Sequence, residues 1–226
     1  AEAGKPSNPW LLHLVQTLGG AKLPKGIDFS IDYLRAGRPE ETFAQCELVR
    51  VGARVALVGI LVTQGELDIY DPAPVPAWEE PGDPRAAITT DQLLRMASGL
   101  AWKEDYFSTD SDTLAMLFGD GQQDMAAYAA DNPLEVPPDS RVAYATGTSN
   151  IISGIIGRIV GTGDAYEGFI DQELLDPLGI DLAGTDLGWD GAGQLIGGSV
   201  FDLTARDYAR FGLLYLRGGG WNGTQI

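Results

Sequence analysis

The stretch Thr148–Val160, TSNIISGIIGRIV, constrains this chain more than any other. Ile151, Ile155 and Ile159 recur every fourth residue, and Ile152, Ile156 and Val160 recur beside them. Apolar residues in that register share one helix face, here about two residues wide. The pattern predicts a buried helix over 148–160. Gly154 and Gly157 interrupt it, and a glycine costs roughly 1 kcal/mol relative to alanine inside an exposed helix. Two of them therefore predict close packing against a neighbouring element. A second helix is predicted over Thr204–Leu216. Thr204 and Asp207 have capping spacing, Tyr208, Phe211, Leu214 and Tyr215 are expected to face inward, and Gly218 to Gly220 end the run. Both helices should bury their apolar faces in one core.

Upstream, VGARVALVGILVTQG is apolar on nearly every side and stops at Gly65, which predicts a buried helix over Val51–Gln64 with a glycine cap. YDPAPVPAWEEPGDPR is rich in proline and reads as a surface loop. A further helix is predicted over Thr89–Ala97. Thr89 and Gln92 form a capping box there, Leu93, Leu94, Met96 and Ala97 supply the stripe, and Gly99 ends it. Short helical pieces, DTLAMLFG and DMAAYAA, follow between acidic loops, and PWLLHLVQTLGG reads as a short helix closed by Gly19-Gly20. With 226 residues there is ample material for a core. The organisation expected is an N-terminal segment, 1–50, followed by one domain, 51–226.

Charge and chemistry-bearing residues exclude several functions. A net charge of −17 repels phosphates, so neither nucleic acid nor an anionic membrane surface is an expected partner. No run of about 18 apolar residues exists to span a membrane. The start of the chain, AEAGKPSNPW, shows no signal-peptide hydrophobic region; compartment and oligomeric state stay open. Cys46 is the single cysteine, which excludes an internal disulfide and a cysteine zinc cluster. His13, the single histidine, sits in an apolar segment and reads as a packing residue rather than a triad member. With no metal-ligand set, no GxGxxG and no Walker loop, neither metal nor cofactor is expected. Glu79-Glu80 reads as solvated loop, and the triplet Asn222-Gly223-Thr224 carries little weight as a glycosylation signal.

Taken together, ALVGILVTQGELDIYDPAPVPAW, ITTDQLLRMASGLAW, DMAAYAADNPL, VAYATGTSNIISGIIGRIVG, LLDPLGI and TARDYARFGLLYLRGGGWNG resemble the serine β-lactamase/penicillin-binding-protein superfamily in order and spacing. The closest branch holds 6-aminohexanoate-dimer hydrolase and class C-like enzymes. The resemblance implies an α/β (α+β) fold of the β-lactamase/transpeptidase type, mostly its helical part, with the terminal strands of the sheet missing. It implies hydrolysis of a small amide, ester or β-lactam through an acyl-enzyme. In the family a serine attacks the carbonyl, a lysine one helical turn later takes its proton, and a tyrosine joins the relay to the leaving group. Tyr144-Ala145-Thr146-Gly147 falls on the tyrosine motif, which makes Tyr144 the expected catalytic relay and places Thr146 at the motif's third position, on the substrate side. Tyr106 falls where relatives hold a tyrosine that contacts the substrate amide. The chain departs from the family at the nucleophile. Counting back from Gly59 puts Val51 at the lysine position and Leu48 at the serine position, and no Ser-x-x-Lys occurs anywhere in the sequence. Arg50 and Arg54 cannot serve as the base, because arginine stays protonated. The alternative expectation is an inactive or truncated homologue that at most binds.

Overall fold

The computed structural model describes residues 53–226, together with two short strands, Phe29–Ser30 (β1) and Glu47–Leu48 (β2). The chain divides into two units, 1–49 and 50–226. In the first, β1 and β2 pair antiparallel, Phe29 opposite Leu48. The expected helix in PWLLHLVQTLGG, His13 and Cys46 lie outside the described residues, as do Val51 and Gly52.

The second unit is built of helices around one buried cluster. In chain order they are α1, Ala53–Gln64; α2, Thr90–Leu94; α3, Asp112–Phe118; α4, Met125–Ala130; α5, Thr146–Val160; α6, Asp164–Ile170; α7, Asp176–Leu178; and α8, Ala205–Leu216. Two antiparallel ribbons accompany them: β3, Asp186–Leu187, with β4, Phe201–Asp202, and β5, Gly220–Trp221, with β6, Thr224–Gln225. Asn222 and Gly223 both have positive φ between β5 and β6. That is the two-residue turn which an Asn-Gly pair favours.

The isoleucine face of α5 is the centre of the core. Ile151, Ile152, Ile155 and Ile156 are buried among Leu57 and Leu61 of α1, Leu93 of α2, Met116 of α3 and Phe211 and Leu214 of α8. Both expectations about the glycines hold. A Cβ at Gly154 would meet Ala126 Cβ of α4 at 2.5 Å, and one at Gly157 would meet Gln194 Oε1 at 1.9 Å. The helix begins at Thr146, two residues earlier than the periodicity predicts.

Three expectations need correction. The helix at 89–97 ends at Leu94, although its capping box forms as predicted. Met96 turns into the left-handed region, so the stripe continues on irregular backbone. In α8, Phe211 and Leu214 are buried, but Tyr208 is 47% exposed and donates its hydroxyl proton to the Phe201 carbonyl. It lies a turn before the buried pair, where the helix leaves the core. The proline-rich segment 70–85 is not simply surface. Trp78 is 2% exposed and Ala73 and Val75 are buried with it, while Glu79 and Glu80 keep the solvated character expected of them. Among the described residues no helix is long and apolar enough to cross a membrane.

Candidate functional site

The N-terminus of α5 shows why Tyr-Ala-Thr-Gly opens this helix. The first N–H groups of a helix have no partner within it, and a serine, threonine, aspartate or asparagine usually supplies one. Here the residue at that place is Ala145, whose side chain accepts nothing. The acceptor comes from another segment. Glu104 Oε2 takes the Thr146 N–H at 2.8 Å, and Glu104 Oε1 takes the Thr146 hydroxyl proton at 2.6 Å. A carboxylate beside a helix N-terminus is further stabilised by the helix dipole.

Glu104 collects three more donors. Trp102 Nε1 reaches Oε2 at 2.7 Å, Thr113 Oγ1 of α3 reaches Oε2 at 2.9 Å, and the Tyr106 hydroxyl reaches Oε1 at 2.7 Å. Burial raises the pKa of this half-buried carboxyl, but the hydrogen bonds from Thr146, Tyr106 and Trp102 outweigh it, and the net position is below the ordinary value of 4.5. The charged form is the one the surroundings are built for. Tyr106 moves the other way: burial and its bond to Glu104 push the phenol upward, and neighbouring Tyr144 adds to the same rise.

Gly147 has a packing reason. A Cβ there would lie 2.5 Å from the Trp102 ring. The missing side chain lets the indole lie against the helix and aim its N–H at Glu104. We expect Gly147→Ala to push the indole away and destabilise the domain by about 1–3 kcal/mol, the usual cost of overpacking; an unchanged thermal midpoint would contradict this account. Behind the same turn, Asn150 Oδ1 accepts the Gly197 N–H at 3.0 Å, and Gly197 approaches both Ser149 of α5 and the Arg54 side chain of α1.

The structure thus brings Tyr106 and Thr146 together on one carboxylate and keeps Tyr144 half-buried two residues before α5. A groove of about 380 Å³ lies elsewhere, between the C-terminal end of α1 and the β5–β6 ribbon. Thr63, Glu173, Trp221 and Ile226 are among its walls, and neither Tyr144 nor Tyr106 lines it. Glu104 is the residue that sequence reasoning missed. Among the described residues no His, Cys, Asp and Glu group has the arrangement of a metal site.

A helix-dominated unit with a tyrosine motif opening its central helix defines a β-lactamase/transpeptidase-like domain. The sequence profile of the β-lactamase family matches residues 55–224, and the chain belongs to that family. A thioesterase-superfamily profile matches residues 11–69, mostly within the first unit. No curated protein matches the chain. Among solved structures it is similar to a "putative beta-lactamase" from Bacteroides dorei DSM 17855, with 20% identity, TM-score 0.57, and 76% of this chain and 49% of that one covered. It is equally similar to a "putative 6-aminohexanoate-dimer hydrolase" from Bacillus anthracis, with 20% identity, TM-score 0.58, and 76% and 47% covered. A penicillin-binding protein from Bacillus halodurans matches at 15% identity, TM-score 0.50, with 73% and 57% covered. The chain spans about half the length of the first two. At these identities the likeness establishes the fold.

Proposed function

We propose that this chain keeps the ligand-holding side of a β-lactamase-family site and binds a small amide or ester without forming an acyl-enzyme. The observation that carries this reading is the Glu104 network, which sets Tyr106 and Thr146 at the mouth of α5 beside Tyr144. In its favour too, the positions of the family's serine and lysine hold Leu48 and Val51, which can act neither as nucleophile nor as base. In this reading Tyr106 contacts the ligand, Thr146 backs it, and Tyr144 occupies the relay position with no nucleophile to serve. Losing the nucleophile from groups that act as a unit costs several orders of magnitude in rate and leaves binding and electrostatic effects.

The second reading is turnover as a serine acyl hydrolase, and membership of the β-lactamase family favours it. Intact-mass spectrometry after incubation with a fluorophosphonate and with a penicillin separates the two. We expect no covalent adduct and no burst with a p-nitrophenyl ester. N-methylbenzamide should nevertheless shift amide resonances of Tyr106 and Thr146 in the NMR spectrum. An adduct mapped to any serine would replace the first reading by the second, and unperturbed resonances would remove the ligand-holding role.

A further inference from the structure

Two hydroxyl protons in this site are already committed. Tyr106 and Thr146 both donate to Glu104 Oε1, at 2.7 and 2.6 Å. An ionised carboxylate accepts and never donates, so neither hydroxyl can turn its proton elsewhere without abandoning a charge-assisted bond. The carboxylate cannot rotate away from them. Its other oxygen is held by the Trp102 indole N–H and the Thr146 backbone N–H, donors that have no acceptor form, and by Thr113. Thr146 is 3% exposed, whereas Tyr106 is 49% exposed, so an incoming ligand meets the tyrosine. What the phenol oxygen has left to offer is lone pairs.

We propose that Glu104 is the specificity-determining residue of the site: by taking the Tyr106 proton it fixes that hydroxyl as an acceptor, which selects ligands carrying an N–H, secondary amides and amines, over esters of the same shape. This deepens the ligand-holding reading above and rests on it. An ester places an oxygen where the amide places its N–H. Two acceptors then face each other, and the contact made by the amide is lost. One such hydrogen bond corresponds to about a tenfold difference in affinity. Glu104→Gln reverses the polarity while keeping the frame. The glutamine carbonyl takes the two fixed N–H donors, its amide donates toward the hydroxyls, and the Tyr106 proton is released for an ester oxygen.

The test titrates wild type, E104Q and Y106F with N-methylbenzamide and methyl benzoate, followed by NMR shifts. We expect wild type to prefer the amide about tenfold, E104Q to lose or invert that preference, and Y106F to bind both alike. Ultraviolet resonance Raman reads the hydrogen-bond direction of the phenol directly, through the spectrum of each protein minus that of its Tyr106→Phe counterpart. The wild-type difference should show a donating tyrosine and the E104Q difference an accepting one. Equal binding of both compounds by wild type, or a preference that survives in Y106F, overturns the assignment. Binding of neither compound defeats the ligand-holding reading, and the Raman comparison then decides the Glu104 assignment alone: a reversed signature in E104Q upholds it and an unchanged one overturns it. Should E104Q not fold, the Y106F titration and the wild-type Raman difference still decide.

Discussion

Replacing Trp78 by alanine should cost about 3–5 kcal/mol, the range for deleting a large buried aromatic side chain. The indole is 2% exposed, and its Nε1 donates to the Ala130 carbonyl at 2.8 Å, at the C-terminal end of α4. The same carbonyl accepts from Arg85 Nη1 at 2.9 Å, and Arg85 also reaches the Asn132 carbonyl and pairs with Asp83 at 2.6 Å. The proline-rich segment is therefore a clamp on the end of α4, which packs along α5. Removing the indole leaves a cavity and one carbonyl with half of its donors. For a domain of this size the loss corresponds to a fall in the thermal midpoint on the order of 10 °C. A calorimetric midpoint within about 2 °C of wild type would mean that the site collapses around the smaller side chain, and that the clamp contributes little.

The parts of the fold that were legible from sequence are those where local pattern and final burial coincide. The isoleucine register of α5, the capping box Thr89/Gln92 and the glycine stop of α1 are written within a few residues, and the structure repeats them. Trp78 was misplaced because proline and acidic residues around it read as loop, while its burial is decided by α4, some fifty residues on. Tyr208 failed for the opposite reason. It continues the apolar register of α8, yet that register outlasts the core it faces.

The candidate site divides in the same way. Tyr144, Tyr106 and Thr146 came from family resemblance, and the structure places the latter two on a shared partner that the resemblance did not name. Glu104 stands in WKEDY, an acidic stretch that reads as solvent-facing, and its key contacts are 42 residues away. One signal could have exposed it: Trp102, Glu104 and Tyr106 alternate, which puts them on one side of an extended segment. The uncapped start after Ala145 is visible only in the structure, because the periodicity places the first turn two residues later.

That borrowed cap sets the last expectation, the effect of Glu104→Ala and its dependence on pH. Truncation takes the carboxylate from five donors, two of which, the Trp102 indole and the Thr146 amide, cannot reverse, and the indole keeps only its longer bond to Thr113 Oγ1 at 3.1 Å. Water reaches a half-buried site and offsets part of the loss, so a cost of about 2–3 kcal/mol at neutral pH is expected for bonds to a charged group. The sign of the pH effect follows from the depressed pKa. A carboxyl that is a stronger acid folded than unfolded stabilises the fold above its ordinary value of 4.5, and that contribution fades as pH falls through the lower, folded value. Of its charged neighbours, Lys103 pairs with Asp110, and Asp112 accepts the Lys103 backbone N–H. Urea unfolding of wild type and E104A at a series of pH values should therefore show a gap that is constant above about pH 6 and closes on acidification. A gap of the same size at pH 3 and pH 7 would show that the alanine acts through lost packing, and that the charge on Glu104 is not what holds Tyr106 to the helix.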